Sequence, residues 1–141
     1  MTDANRKEDN PKRYRLKFRQ LPGFYAIIRF ALETIIPQWA TQGEFISITR
    51  TADEVSVVCS ADSVPKDVDP GLRWTCLKLE GPFAFSQTGI LLSFIEPLSC
   101  RNVPIFAIST YDTDYVLVQE EHSQSAFDAL IAMGHELIGE R

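Results

Sequence analysis

The chain has 141 residues, of which 45% are hydrophobic and 23% are charged, so it is expected to form one compact domain or two small halves that share a core. Its net charge of −5 argues against nucleic-acid binding, because that affinity comes mostly from neutralising phosphates. No segment approaches the roughly 18 consecutive apolar residues that span a bilayer, and the first residues lack the apolar core of a signal peptide. We therefore expect a cytoplasmic protein with no membrane or nucleic-acid partner.

The first half begins with a polar segment, residues 1–11, that is predicted to be disordered. In "KRYRLKFR", residues 12–19, apolar and basic side chains alternate, which predicts an edge strand with one buried and one basic face; a basic arm for nucleic acid is the alternative interpretation. Residues 24–32 predict a central strand. Pro37 then suits the first turn of a short helix with Trp39 as its packing anchor, and residues 44–50 and 54–60 predict a hairpin.

The second half predicts a longer version of the same series. A strand over residues 73–81 is followed by a helix from about Gln87, two strands over 102–110 and 114–120, and a helix from Ser123, its expected N-cap, to Met133, with Gly134 as the C-terminal stop. The first of these helices carries an apolar stripe of Ile90, Leu91, Phe94, Ile95 and Leu98.

The two halves resemble each other at an offset of 60 residues, so that Thr49 matches Ser109 and Glu54 matches Asp114. The expected fold is α+β, with two tandem ferredoxin-like units of the βαββαβ type whose antiparallel sheets are covered by helices on one face. The first unit, with a shortened helix, is expected at residues 12–62, a connector at 63–72 and the second unit at 73–141.

Metal and thiol chemistry find little support in the sequence. Cys59, Cys76 and Cys100 form no CxxC motif and are expected to be buried, reduced thiols. "HELIGE" begins like a zinc-binding HExxH helix, but Gly139 stands where the second histidine is needed. No metal site and no cofactor are predicted.

Asp112 and Asp114 lie in "STYDTDY", where the chain must turn between two strands. The tip of a hairpin is one interpretation, because Asp and Thr favour turns, and ligand capture is another. Ser86 could cap the following helix, whose free N–H groups suit a carboxylate, while the nearby aspartates suit an ammonium group. Gly89 would then open the first turn of the helix, or it would merely permit close packing.

Three motifs resemble one known family. "GEFISITRTADEVSVVC", "LEGPFAFSQTGIL" and "PIFAISTYDTDYVLV" resemble the tandem ACT-domain proteins of bacteria, which are related to the regulatory region of aspartate kinases and to the cytosolic arginine sensor of animals. The resemblance covers about residues 14–135. It implies paired ACT units, commonly in a homodimer, and a regulatory role with small ligands bound at the interface between units. The ligand-contacting positions it implies are Phe85, Ser86, Thr88, Gly89, Ile90, Ser109, Thr110, Tyr111, Asp112 and Asp114, with Thr49, Arg50 and Thr51 at the equivalent strand end of the first half.

The sequence therefore predicts a non-catalytic sensor that binds a small molecule, in particular an amino acid, and regulates a separate protein. The alternative is a ligand-free module for protein interaction or oligomerisation. A small enzyme that uses Asp112 and Asp114 is a further hypothesis, which requires at least one of these carboxylates to be buried.

Overall fold

A computed structural model describes residues 12–139 and shows a mixed α+β protein in which eight strands form one sheet. The elements are β1 (Lys17–Gln20), β2 (Tyr25–Phe30), β3 (Ser47–Arg50), β4 (Val55–Ser60), β5 (Trp74–Leu79), α1 (Ile90–Cys100), β6 (Ile105–Ser109), β7 (Asp114–Gln119), α2 (Ser123–Ala132) and β8 (Glu136–Leu137). Short 3-10 helices lie at Gln38–Thr41, Ala61–Ser63 and Glu120–His122. The α+β, ferredoxin-like prediction is confirmed.

The second half has the order β5–α1–β6–β7–α2–β8. Its central strand, β5, pairs antiparallel with β7, and β7 pairs antiparallel with β6. On its other side β5 pairs with β1, with Phe18 opposite Leu79, and β1 in turn pairs in parallel with β8. The prediction that the first strand is an edge strand is therefore wrong. Its apolar face, centred on the fully buried Phe18, completes the core of the second half.

The first half contributes β2, β4 and β3, which pair in that order and antiparallel. The crossover between β2 and β3 contains only the 3-10 helix at Gln38–Thr41, preceded by Pro37, and Trp39 packs on Phe30 with ring centroids 6.2 Å apart. The short helix and its anchor were both predicted. A single pairing of Tyr25 with Trp74 joins β2 to β5 and makes the sheet continuous.

Two apolar clusters lie on opposite faces of the second-half strands. On one face α1 and α2 cover the sheet, and Phe18 contacts both helices through Phe94 and Phe127, at ring centroid distances of 5.2 and 6.1 Å. On the other face, residues of the first half, including Phe45, pack against Cys76, Leu117 and their neighbours. The first half therefore covers part of the face that the helices leave free.

The helix boundaries differ slightly from the prediction. Helix α1 begins at Ile90 instead of about Gln87, and α2 has His122 at its N-cap, so that Ser123 is its first residue. The hydroxyl of Ser123 instead forms a hydrogen bond of 2.9 Å with the buried Thr75 hydroxyl. Gly134 ends α2 with φ of +98°, as predicted, because a left-handed residue after a helix favours glycine.

His135, the histidine of "HELIGE", connects two segments of the fold by hydrogen bonds. His135 is buried, accepts a hydrogen bond at Nδ1 from the Leu16 amide (3.0 Å), and donates from Nε2 to the Ser93 carbonyl (2.9 Å). The Ser93 hydroxyl in turn accepts a bond from the Tyr14 amide. Burial lowers the pKa of His135, and the hydrogen bond to Ser93 opposes that shift. The neutral ring thus joins the segment before β1 to α1.

All three cysteines are free. Cys59 and Cys76 are buried as expected, and burial raises the pKa of Cys59 and raises that of Cys76 to about 12. Cys100 is exposed at the end of α1, contrary to the prediction, because α1 turns this position away from the sheet.

Candidate ligand-binding site

Two loops of the second half meet in one pocket of about 230 Å³ beside the start of α1, and we call it the loop pocket. One loop precedes α1, and the other is the turn between β6 and β7. The lining residues are Phe83, Ala84, Phe85, Gln87, Ile90, Ser109, Thr110, Tyr111, Asp112, Thr113 and Asp114. The structure therefore brings together the two segments that were predicted to lie near each other.

The hairpin turn is held in place by its threonines. The Thr110 amide donates to the Thr113 carbonyl (2.8 Å), and the Thr110 hydroxyl donates to the same carbonyl (3.1 Å). The buried Thr113 hydroxyl donates to the carbonyl of Leu79 at the end of β5 (2.8 Å). "TYDTD" is thus the tip of a hairpin, and its base is attached to the central strand.

The two loops are also joined directly. The Phe83 amide donates to the Asp112 carbonyl (2.9 Å). Gly81 comes so close to the turn that a Cβ there would lie 2.8 Å from the same carbonyl, a separation that only glycine permits. These contacts give the pocket two walls whose relative position is set by backbone groups.

The pocket carries negative charge. Two carboxylates, of Asp112 and Asp114, are among the lining residues, whereas no lysine, arginine or histidine is. Ser109 donates a hydrogen bond of 2.5 Å from its hydroxyl to Oδ1 of Asp114. Burial raises the pKa of the adjacent Tyr115, and electrostatic interactions with Cys76 and with Asp112 add to that shift. The electrostatics of the pocket favour a cationic group.

Two aromatic rings stand at the pocket with most of their surface in solvent. The side chains of Phe85 and Tyr111 are 74% and 79% exposed and touch edge to face, with ring centroids 4.7 Å apart. Exposed aromatic rings that pack mainly on each other offer apolar contact area to a bound molecule.

The start of α1 differs from the expectation. Gly89, not Ser86, is the N-cap, with φ of +86° and no side-chain cap. A Cβ at Gly89 would lie 2.6 Å from the Lys12 carbonyl, so the glycine permits close packing of the segment before β1. Ile90 lines the loop pocket, whereas Ser86, Thr88 and Gly89 do not.

The three predicted residues of the first half lie elsewhere. Thr49 lines a separate cleft of about 280 Å³ between β3, β4 and β6, which we call the hydroxyl-lined cleft. Arg50 donates to the Leu32 carbonyl (2.9 Å), and Thr51 closes the turn between β3 and β4 by donating its amide to Glu54 (2.9 Å). The cleft and the loop pocket share Ser109.

Four residues that line the loop pocket were not predicted from the sequence: Phe83, Ala84, Gln87 and Thr113. Gln87 accepts a hydrogen bond at its side-chain oxygen from the Ala84 amide (2.9 Å) within the loop before α1, a contact that no motif in the sequence indicated. Thr113 was assigned only to the turn, and its bond to Leu79 depends on strand pairing that sequence spacing does not reveal.

Residues 12–139 contain no group of three or more histidine, cysteine or acidic side chains that could hold a metal ion. No helix in this range has the length and apolar character needed to cross a membrane.

Comparison with known proteins gives two domain matches. An ACT-domain model matches residues 71–132, which include both walls of the loop pocket, and a model described as an N-terminal domain matches residues 23–67.

Individual relatives extend the comparison. The crystal structure of protein Atu0741 from Agrobacterium tumefaciens is 47% identical, with a TM-score of 0.81, over 91% of this chain and 96% of that one. The human putative protein CASTOR3P is 30% identical over 91 residues; the match covers 55% of this chain and 56% of that protein, so the chain spans little more than half of its length. Protein VC0802 from Vibrio cholerae shares the fold, with a TM-score of 0.62 at 18% identity over 80% of this chain. The chain contains an ACT domain at residues 71–132 and belongs to one family with Atu0741.

Proposed function

We propose that this protein is a regulatory sensor that binds a free amino acid in the loop pocket. One observation carries the proposal: the loop before α1 and the turn after β6 line a single pocket that contains two carboxylates and no basic side chain. The ACT match spans this pocket, and ACT domains generally bind small molecules such as amino acids and are regulatory domains.

The chemistry of an amino acid fits the two walls. Asp112, at the tip of the turn, would accept the ammonium group, with Asp114 adding negative charge beside it. On the other wall, the first N–H groups of α1 have no acceptor within the helix, and Ile90 places them next to the pocket, where they would receive the carboxylate. Phe85 and Tyr111 would cover the side chain.

The volume of the loop pocket limits the size of the ligand. About 230 Å³ holds a single amino acid of moderate size and is below the 300–1,000 Å³ that is common for drug-sized ligands. A homodimer and a separate regulated protein, both implied by the resemblance to ACT proteins, belong to the same proposal.

A thermal-shift screen of the twenty amino acids at 10 mM tests the function. A ligand present at 100 times its Kd adds about 2.7 kcal/mol to the free energy of unfolding, which raises the Tm of a chain of this size by roughly 5–10 °C. Asp112→Asn should remove the increase. Asp53→Asn, in the equivalent turn of the first half, is the matched control and should preserve it. The absence of any shift, or an equal shift in Asp112→Asn, would contradict the proposal.

A ligand-free interaction module is the second candidate, because β3 and β6 each pair with only one neighbour among the described strands. Such a module would oligomerise in the absence of any ligand and would do so equally well with Asp112→Asn. Sedimentation of the two proteins distinguishes it from the sensor.

A further inference from the structure

We propose that the binding site continues from the loop pocket along the free edge of β6, and that this extended site takes a peptide with a free amino terminus. The peptide adds to β6 as an antiparallel strand. This inference rests on the proposed function, because the terminal ammonium of the peptide occupies the position proposed for that of a free amino acid.

The backbone of β6 offers hydrogen bonds along its outer edge. Among the described strands, β6 pairs only with β7. The Thr110–Thr113 bond closes the hairpin, and hydrogen-bonded pairs alternate with non-hydrogen-bonded pairs from there. The backbone groups of Phe106 and Ile108 therefore bond to β7. Those of Ile105, Ala107 and Ser109 point outward, away from β7.

The alternation is supported independently on the far side of β7. The Glu120 amide, one residue beyond β7, donates to the Arg73 carbonyl beside β5 (2.8 Å). The backbone N–H and C=O groups at even-numbered positions of β7 thus point toward β5. Those at odd-numbered positions, such as Tyr115 opposite Ile108, point toward β6. Ala107 and Ser109 are also exposed to solvent, so the outer edge of β6 is accessible.

Three depressions follow this edge in order. The loop pocket lies at its carboxyl end and shares Ser109 with the hydroxyl-lined cleft, which runs beside residues 106–109. At the amino end is an apolar depression of about 420 Å³ that includes Ile95, Val103, Pro104 and Ile105. An added strand points alternate side chains to opposite faces, so depressions on both faces of one edge match an extended peptide.

Charge determines the direction of the peptide. The two aspartates of the loop pocket lie at the carboxyl end of β6, so an ammonium group there places the start of the peptide beside Ser109. The peptide then runs antiparallel to β6, with its first, third and fifth residues opposite Ser109, Ala107 and Ile105. Its second and fourth side chains enter the hydroxyl-lined cleft, and its fifth enters the apolar depression.

The same geometry favours a chain terminus over the internal strand of a second copy. The loop that includes Phe83 and Phe85 lies across the edge at the carboxyl end of β6 and blocks an added strand from continuing past it, so the strand has to begin there. An internal strand would also bring no charge to offset Asp112 and Asp114, whereas an amino terminus brings one.

Isothermal titration with defined peptides tests the inference. The probes are twenty amidated pentapeptides of the form Xaa-Ser-Ala-Ser-Leu, each compared with the free amino acid Xaa and with its N-acetylated form. At least one pentapeptide should bind tenfold or more tightly than its free amino acid, and acetylation should weaken it at least tenfold.

Matched changes in the best peptide test the pairing without altering the protein. N-methylation at the third residue removes the amide that faces Ala107 and should abolish the gain over the free amino acid. N-methylation at the second residue, whose amide points away from β6, should preserve it. In the protein, Ala107→Pro should abolish the gain and Ala107→Val should retain it, provided that circular dichroism shows both variants folded.

The outcomes separate the two proposals. If free amino acids bind and no pentapeptide binds more tightly, the inference is wrong while the proposed function stands. Equal binding of acetylated peptides refutes the role of the ammonium. A ligand-free dimer that Ala107→Pro dissociates assigns the edge to a second copy and overturns the inference. If neither amino acids nor peptides bind, both proposals are refuted.

Discussion

Replacing Gly89 with alanine tests the close contact between the start of α1 and the segment before β1. The residue has φ of +86°, and a left-handed conformation costs a non-glycine residue roughly 1–2 kcal/mol. The added Cβ would also lie 2.6 Å from the Lys12 carbonyl, and an overpacked contact of this kind costs about 1–3 kcal/mol. We therefore expect a loss of roughly 2–5 kcal/mol in the free energy of unfolding.

Gly71→Ala separates the two contributions. Gly71 has φ of +67° but nothing within 4 Å of a Cβ, so alanine there should cost only the conformational part, about 1–2 kcal/mol. Urea unfolding at constant m-value measures both losses. The difference between the variants is the cost of the contact with Lys12. If Gly89→Ala is no more destabilising than Gly71→Ala, the segment before β1 does not constrain the start of α1.

Three other predictions concern side chains. Burial lowers the pKa of His135, so its contribution to stability is fully present above the pKa of about 6.5 in the unfolded chain and declines as the pH falls from there toward the lowered pKa. The urea midpoint should therefore fall between pH 7.5 and pH 5, and His135→Asn should reduce that fall. Phe18→Ala should cost about 3–5 kcal/mol of unfolding free energy, because the ring is fully buried, whereas Phe85→Ala, at an exposed ring, should cost less than about 1 kcal/mol; similar losses would contradict the assignment of the core. Thr113→Val should cost about 1–3 kcal/mol because it leaves the Leu79 carbonyl without its donor, and Thr113→Ser should recover most of that loss; equal values for the two variants would show that the hydroxyl contributes nothing.

Much of the site was predictable from local signals. Threonine and aspartate in "TYDTD" predicted a turn, and the glycine and serine before the apolar stripe of Ile90, Phe94 and Leu98 predicted a loop that enters a helix. Both loops do line one pocket. The exact helix start was not predictable, because the N-cap is a left-handed Gly89 packed against the carbonyl of Lys12, a contact between segments far apart in the sequence.

Local patterns in the sequence predicted most of the secondary structure: the alternation of apolar residues indicated the strands and the apolar stripe indicated α1, while the similarity at an offset of 60 residues stays a prediction of two related halves. Which elements are neighbours is visible only in the folded chain. The alternating pattern of β1 specifies one buried face, yet it carries no information about the backbone partners at its edges, so its place between β5 and β8 could not be read from it. The same holds for Thr49, Arg50 and Thr51, which occupy the equivalent strand end of the first half but do not line the loop pocket. The periodicity of a segment shows which of its residues are buried, whereas strand pairing depends on which distant segments lie beside it in the fold.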